Sequence, residues 1–258
     1  MSKANDLRSA LTPALLAEVR DFWFEHLAGP DSLVIPVRED SMRWFAGGEE
    51  LDRLCVQRFQ PTLEAIRRCA PTSGDDIIAA VDPLDPRDWM SLLVLLDQMP
   101  RNCYRGPLSA TAFTFFDPLA RDLAMAAMKR GIPDGAPVIR WQLAYRSWFY
   151  MPLMHSEELA AHETAVAAFG KMIDDVRALS SEKEGPKDED EFRAKARTVV
   201  QSNVEQAIKV ASMNADFEKK HYDIIKRFGR YPHRNPVLGR EPTAEEVDYL
   251  ANGGETFG

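Results

Sequence analysis

The sequence predicts an all-α protein of roughly seven to nine helices, an array of antiparallel elements. Helix-start punctuation recurs along the chain, strand patterns are nearly absent, and one long stretch runs without Pro or Gly. Thr12-Pro13 reads as N-cap and first helical residue, with Leu15, Leu16, Val19, Phe22 and Trp23 following at helical spacing. Leu51 to Ala70 carries a further helical pattern. Asp85-Pro86 opens another helix, with Asp88 three residues after the cap, and Asp117-Pro118 opens one more. A helical pattern also covers Glu157 to Leu179. Asp188 and Glu191 form a capping-box-like start for a helix of about 40 residues reaching Arg227. Thr243 and Glu246 form another such box. The β-branched run Leu33 to Val37 contains Pro36, which argues against a strand, so Gly29 to Gly48 is expected to be a long surface loop. Residues 180–190 are a polar breaker between two long helices, which implies an antiparallel hairpin. One domain is expected over 1–258, its core spanning 10–258.

The chain has 258 residues, 45% hydrophobic and 28% charged, the balance of a soluble globular protein with a sizeable core. A net charge of −8 argues against nucleic acid as a partner, since phosphate backbones are bound by extended positive surfaces. Cys55, Cys69 and Cys103 form no CxxC pair, and a 55–69 disulfide does not suit one regular helix, so reduced thiols are expected. The N-terminus lacks the apolar core of a signal peptide, and no apolar run approaches the ~18 residues of a membrane helix. A cytoplasmic protein without a membrane partner is the expectation.

One basic segment stands out on this acidic chain. Residues 219–240 hold seven of the 32 Lys/Arg but one of the 40 Asp/Glu, Asp223, together with His221 and His233. Gly229, Pro232 and Pro236 fix the backbone there and position Arg230, His233, Arg234 and Asn235. Arg227 and Arg240 flank them. A basic turn between helices suits a small anion or a carboxylate. The alternative is an ordered connection whose Arg230, Arg234 and Arg240 brace buried acids such as Asp97, Glu157 and Glu241. His221 falls beside the apolar stripe of its helix, where a rim or core histidine is the simpler expectation.

Two other segments carry chemistry. In Asp97-Gln98-Met99-Pro100-Arg101-Asn102, a helix ending at Gln98 would leave carbonyls for Arg101 and Arg105 to satisfy. Alternatively, a buried Asp97 holds an arginine whose planar fork faces a ligand. His155-Ser156-Glu157-Glu158 follows the apolar run Trp148 to Met154. Ser156 or His155 can cap the next helix, with Glu157 and Glu158 complementing its dipole. His155, beside an apolar wall and two acids, is also placed for a tuned pKa and acid–base work. His155 and His162 lie seven apart, without the HExxH spacing, and GxGxxG, Walker and GxSxG patterns are absent. No metal and no cofactor are therefore expected.

Phe22 to Phe24, Leu95 to Gly106, Asp117 with Ala120, Tyr150 to Glu158, and His221 to Glu241 together resemble the bacterial and fungal proteins catalogued as domain of unknown function 924. The resemblance runs from about Phe22 to Leu250 and brings no activity with it. It implies a tetratricopeptide-like helical array with a concave inner face. Met99 and His162 depart from the Phe and Gln usual at those positions.

The expected function is binding of a small anionic or oxygenated metabolite in an Arg/His/Glu-lined cleft. Asp97, Gln98, Arg101, Asn102, Arg105, His221, Arg227, Arg230, Arg234, Asn235 and Arg240 would line it. His155 or His233, tuned by Glu157 or Glu158, would move a proton, as in a cofactor-independent hydrolase, lyase or isomerase. The alternative is a non-enzymatic module binding an acidic or carboxylate-terminated peptide. A third reading makes the same residues a buried ion-pair lattice that only joins helices.

Overall fold

The computed structural model describes residues 3–257, and these form helices and connecting turns with no β-strand among them. The helices outnumber the seven to nine expected, because several spans read as single elements or loops are divided. The amino-terminal part comprises α1 (Lys3–Ala10), α2 (Pro13–Phe24), α3 (Pro30–Val34), α4 (Arg38–Ala46), α5 (Gly48–Cys69), α6 (Gly74–Val81) and α7 (Pro86–Leu93). The expected 29–48 loop thus contains two short helices, and the capping carboxylate of Asp40 accepts from Val37 N–H to start the second. Thr12 and Asp85 cap α2 and α7 as expected, through bonds from Leu15 N–H and Arg87 N–H. On α5, Leu51, Cys55, Phe59, Leu63 and Ile66 recur every three or four residues and are all buried. Each such fully buried large apolar side chain contributes about 1.5–3 kcal/mol.

After α7 the chain passes without a break through a π turn (Val94–Gln98) into α8 (Met99–Cys103). A 3-10 turn (Gly106–Ser109) and a second π turn (Ala112–Phe116) lead to α9 (Asp117–Lys129). Four short helices follow: α10 (Ile132–Gly135), α11 (Pro137–Arg140), α12 (Leu143–Arg146) and α13 (Met151–Met154). The long elements come last: α14 (Leu159–Ser181), α15 (Glu191–Ser202) and α16 (Val204–Phe228), closed by α17 (Ala244–Ala251). The helix expected to run unbroken to Arg227 is divided at Asn203, whose side chain accepts from Gln206 N–H and starts α16 anew. Asp190, not Asp188, caps α15, accepting from Arg193 N–H. The capping box of Thr243 and Glu246 is present.

α14 and α16 pack antiparallel: His162 near the start of one meets Glu218 near the end of the other. Ala161, Ala165 and Ala168 on α14, with Ala207 and Ala211 on α16, are buried and small enough for close approach. One apolar core runs from Leu7 to Ala211, and all five tryptophans are buried. A smaller cluster of Ile224, Ile225 and Tyr231 gathers Phe228, Tyr249 and Phe257 at the carboxyl-terminal end. The three cysteines are free and buried. No helix among the described residues is long and apolar enough to cross a membrane.

Candidate functional site

Two X-Pro steps shape the site. Pro100 and Pro118 have no N–H to donate, and a proline ring crowds the carbonyl four residues back. In each case the helix continues by widening one turn. Met99 N–H donates to the Val94 carbonyl and Asp117 N–H to the Ala112 carbonyl, five residues back. Both segments had been expected as helix boundaries, with Asp117 as a cap. Instead the widened turns bring Asp97 and Asp117 together, 1% and 5% exposed, on either side of one arginine. Arg101 Nη2 donates to Asp117 Oδ1 at 2.6 Å and to Asp97 Oδ1 at 3.4 Å.

Arg234 reaches the same carboxylate from the 3-10 turn Pro232–Arg234, its Nη1 lying 3.6 Å from Asp117 Oδ2. Its guanidinium packs over the rings of Phe113 and Tyr231, 4.3 and 4.4 Å from their centroids. Burial pushes this guanidinium below its ordinary range, with Asp117 opposing the shift. Two guanidiniums and two carboxylates therefore share one largely water-excluded cluster.

His155 is fixed by its backbone and its ring. The carbonyls of residues 154–156 are left free as α13 ends, and three side chains satisfy them. Tyr231 Oη donates to Met154 at 2.6 Å, Arg234 Nη1 to His155 at 3.0 Å, and His162 Nε2 to Ser156 at 2.8 Å. The ring nitrogen Nδ1 lies 2.7 Å from Asp97 Oδ1. Burial raises the Asp97 carboxyl, but the neighbouring His155 and Arg101 outweigh it and hold the group below its usual range. Burial and the Arg101 charge lower His155 against the pull of Asp97. An ionised carboxylate only accepts, so the neutral imidazole carries its proton on Nδ1 and presents a lone pair at Nε2.

His221 comes close to this ring, with centroids 6.4 Å apart. Its Nδ1–H donates to the Phe217 carbonyl at 2.8 Å, and its face stacks on Phe257 at 3.5 Å. Burial, with the nearby charges of His155, His162 and Arg234 and against the Phe217 bond, lowers His221 to about 3. The unfolded imidazole takes up a proton below its ordinary value of 6.5, while the folded one resists until about 3. The stability contributed by this neutral, buried ring is therefore lost as pH falls from 6.5 towards 3. In thermal melts at pH 7 and pH 4, His221→Gln should show a smaller acid-induced drop than the wild type. Equal drops would refute this role.

The other expected site residues separate into several places. Gln98 Nε2 donates to Asp97 Oδ2 at 2.5 Å, and Asn102 donates to the Gln98 carbonyl, so both support the turn. Glu157 does not tune His155: its carboxylate is taken by both Nη atoms of Arg240, at 2.6 and 3.0 Å, and by Tyr231 N–H. Glu158 is 64% exposed and paired with Arg121. Arg105 pairs with Asp52, and Arg227 with Glu245, both at the surface. Arg230 and Asn235 bind Glu246, the capping residue of α17, and Arg230 also donates to the Glu241 carbonyl. His233 packs beside Tyr231 and Phe257, and burial lowers it to about 4.

Asp97, Arg101, His155, His221 and Arg234 are thus brought together, joined by Asp117 and Phe113, to which no ligand role had been assigned. The signal for Asp117 was an acid directly before a proline, which reads equally as a helix start. Behind the cluster, His162 Nδ1 lies 2.8 Å from Glu218 Oε1, both side chains fully buried, and burial raises the Glu218 carboxyl. Among the described residues no group of three or more His, Cys, Asp or Glu side chains is arranged to hold a metal ion.

The family model described as "Bacterial protein of unknown function (DUF924)" matches residues 19–254. The chain belongs to this family. It is also similar to the solved "Structure of Protein of Unknown Function ATU0120 from Agrobacterium tumefaciens", at 29% identity and a TM-score of 0.57, covering 93% of this chain and 98% of that one. No curated protein matches the chain. The DUF924 resemblance rested in part on four segments, Leu95 to Gly106, Asp117, Tyr150 to Glu158 and His221 to Glu241. Distant in sequence, these are the segments that meet around Asp97, Asp117, His155 and Arg234.

Proposed function

We propose that this protein binds a small anionic, oxygenated molecule at the Asp97–Arg101–Asp117–His155–Arg234 cluster, and that His155 moves a proton through Nε2. One observation carries the reading. Among the described residues, His155 Nε2, Arg101 Nη1 and Nε, and Arg234 Nη2 and Nε have no hydrogen-bond partner, whereas His155 Nδ1, Arg101 Nη2 and Arg234 Nη1 are engaged. Two guanidinium edges suit a carboxylate or phosphate and would hold negative charge that develops on it. A neutral imidazole oriented by a buried carboxylate is the arrangement of a general base. His221, whose proton is committed to a carbonyl, offers a second lone pair nearby. Proton abstraction beside a bound carboxylate, as in an isomerase or lyase, uses all four groups. A hydrolase would use His155 to activate water. In this reading the cluster is an anion-binding cleft in a tetratricopeptide-like array, and the antiparallel packing of α14 on α16 supports that arrangement.

Calorimetric titration with malonate and with inorganic phosphate tests the binding step. Saturable binding is expected, weakened about tenfold or more in Arg234→Lys, which keeps the charge but loses the planar fork. His155→Gln should retain binding and lose any turnover. Absence of binding by either anion, with binding of acidic peptides instead, would replace this proposal by the interaction-module reading.

A further inference from the structure

A cavity of about 460 Å³ lies between α2, α3 and α12, and none of its lining residues belongs to the cluster above. Its size falls within the range of small-molecule sites. Phe24, Leu27, Pro30 and Leu33 give it apolar walls, and Arg20 and Tyr145 bring polar atoms to it. Tyr145 is 9% exposed and packs edge-to-face on Phe24, ring centroids 4.7 Å apart. Its hydroxyl has no hydrogen-bond partner among the described residues and is not sealed from solvent, so it is free to donate into the cavity. Arg20 is also incompletely used. Its ionic partner Asp88 stands 3.8 Å away, too far for a hydrogen bond.

Two acids share the cavity with these donors, and they differ. Glu25 is neutralised by Arg43 at 2.8 Å. Asp21 is exposed and has no ion pair among the described residues. The cavity therefore offers one hydroxyl and one guanidinium to an acceptor, beside apolar walls, with one free carboxylate to repel additional negative charge.

We infer that this cavity is a second binding site, for a small monocarboxylate with an aromatic or branched aliphatic body. The carboxylate accepts from Tyr145 Oη–H and from the Arg20 guanidinium, whose planar edge matches it. The body lies against Phe24, Leu27, Pro30 and Leu33, where the hydrophobic effect supplies most of the affinity. Asp21 sets the charge limit and excludes dianions such as phosphate monoesters.

Titration of the full chain with phenylacetate, its neutral isostere phenylacetamide, and the dianion phenyl phosphate tests the site. Phenylacetate is expected to bind saturably and about tenfold tighter than either comparator, a difference of the size given by a charge-assisted hydrogen bond. Tyr145→Phe keeps the ring and removes one donor, so affinity should fall several-fold. Arg20→Leu should abolish the preference for phenylacetate over phenylacetamide. Asp21→Asn should admit phenyl phosphate. The affinity for phenylacetate should be unchanged by saturating malonate, a dianion that fills the His155 cluster and is excluded here, which separates the two sites. Unaltered melting temperatures would show that the variants fold. No saturation at millimolar phenylacetate would overturn the inference, as would equal affinities in wild type and Arg20→Leu.

Discussion

Asp117→Ala is expected to destabilise the protein by about 3–5 kcal/mol, the loss found when one member of a buried ionic group is removed. Asp117 is 5% exposed and stands between Arg101 and Arg234. Without it, two guanidiniums face the single charge of Asp97, and burial already works against the charge on Arg234. The excess positive charge stays inside because Arg234 is buried and packed against the rings of Phe113 and Tyr231. For a chain of this size each kcal/mol lowers the melting temperature by about 2–4 °C, so a drop on the order of 10 °C should be visible. Asp117→Ala combined with Arg234→Met should cost less than the sum of the two single changes, since the second removes the charge stranded by the first. Urea denaturation of the four proteins measures this coupling. A loss under about 1 kcal/mol for Asp117→Ala, or strict additivity, would mean that the carboxylate does not serve both arginines.

The parts of this cluster were visible in the sequence to different degrees. Arg234 and His155 stood out because local composition concentrated polar residues where Gly and Pro fix the backbone. For Asp97 the sequence leaves two readings open, a helix end braced by arginines and a buried carboxylate holding one, and the folded chain buries Asp97 against Arg101. The partner of His155 was misassigned, because Glu157 and Glu158 adjoin it in sequence whereas Asp97 lies 58 residues away. Proximity along the chain said nothing about which acid would face the ring. Arg240 claims Glu157 from 83 residues away, and that pairing is equally silent in a linear reading. His221 was weighed as a rim residue. Its closeness to His155 depends on how α16 crosses the end of α13, a tertiary fact.

The helical fold was legible because capping is local. Thr12, Asp85 and Thr243 each bond an N–H two or three residues on, within the window that a sequence pattern samples. Continuity was harder to read. Pro100 and Pro118 signal a boundary in isolation. In the folded chain both lie within continuous helix, because one widened turn absorbs the missing donor and the packing against Arg101 rewards the displacement. The opposite error fell at Asn203. Nothing in the span from Asp188 to Arg227 forbids helix, yet an asparagine that captures Gln206 N–H is enough to start a new one.

Arg146→Ala should be as damaging as Asp117→Ala, at about 3–5 kcal/mol, but without any effect on anion binding. This arginine is fully buried, and every side-chain nitrogen is used. Nε donates to Tyr150 Oη at 2.9 Å, Nη1 to Asp175 at 2.6 Å, and Nη2 to Asp134 at 2.7 Å. Arg140 and Lys171 complete the coordination of the two carboxylates from outside. The fork ties α10, α12 and α14 together, so Arg146→Lys, with the charge but not the planar geometry, should recover only part of the loss. A lattice that merely joins helices has this saturated form. The Arg101–Arg234 cluster is also ionic and largely buried, yet it leaves an edge of each guanidinium and one imidazole nitrogen without a partner. If the difference in saturation marks the difference in purpose, malonate and phosphate binding should survive in Arg146→Lys at a temperature where it remains folded, and fail in Arg234→Lys. Loss of binding in both variants would return the His155 cluster to the structural role that Arg146 performs.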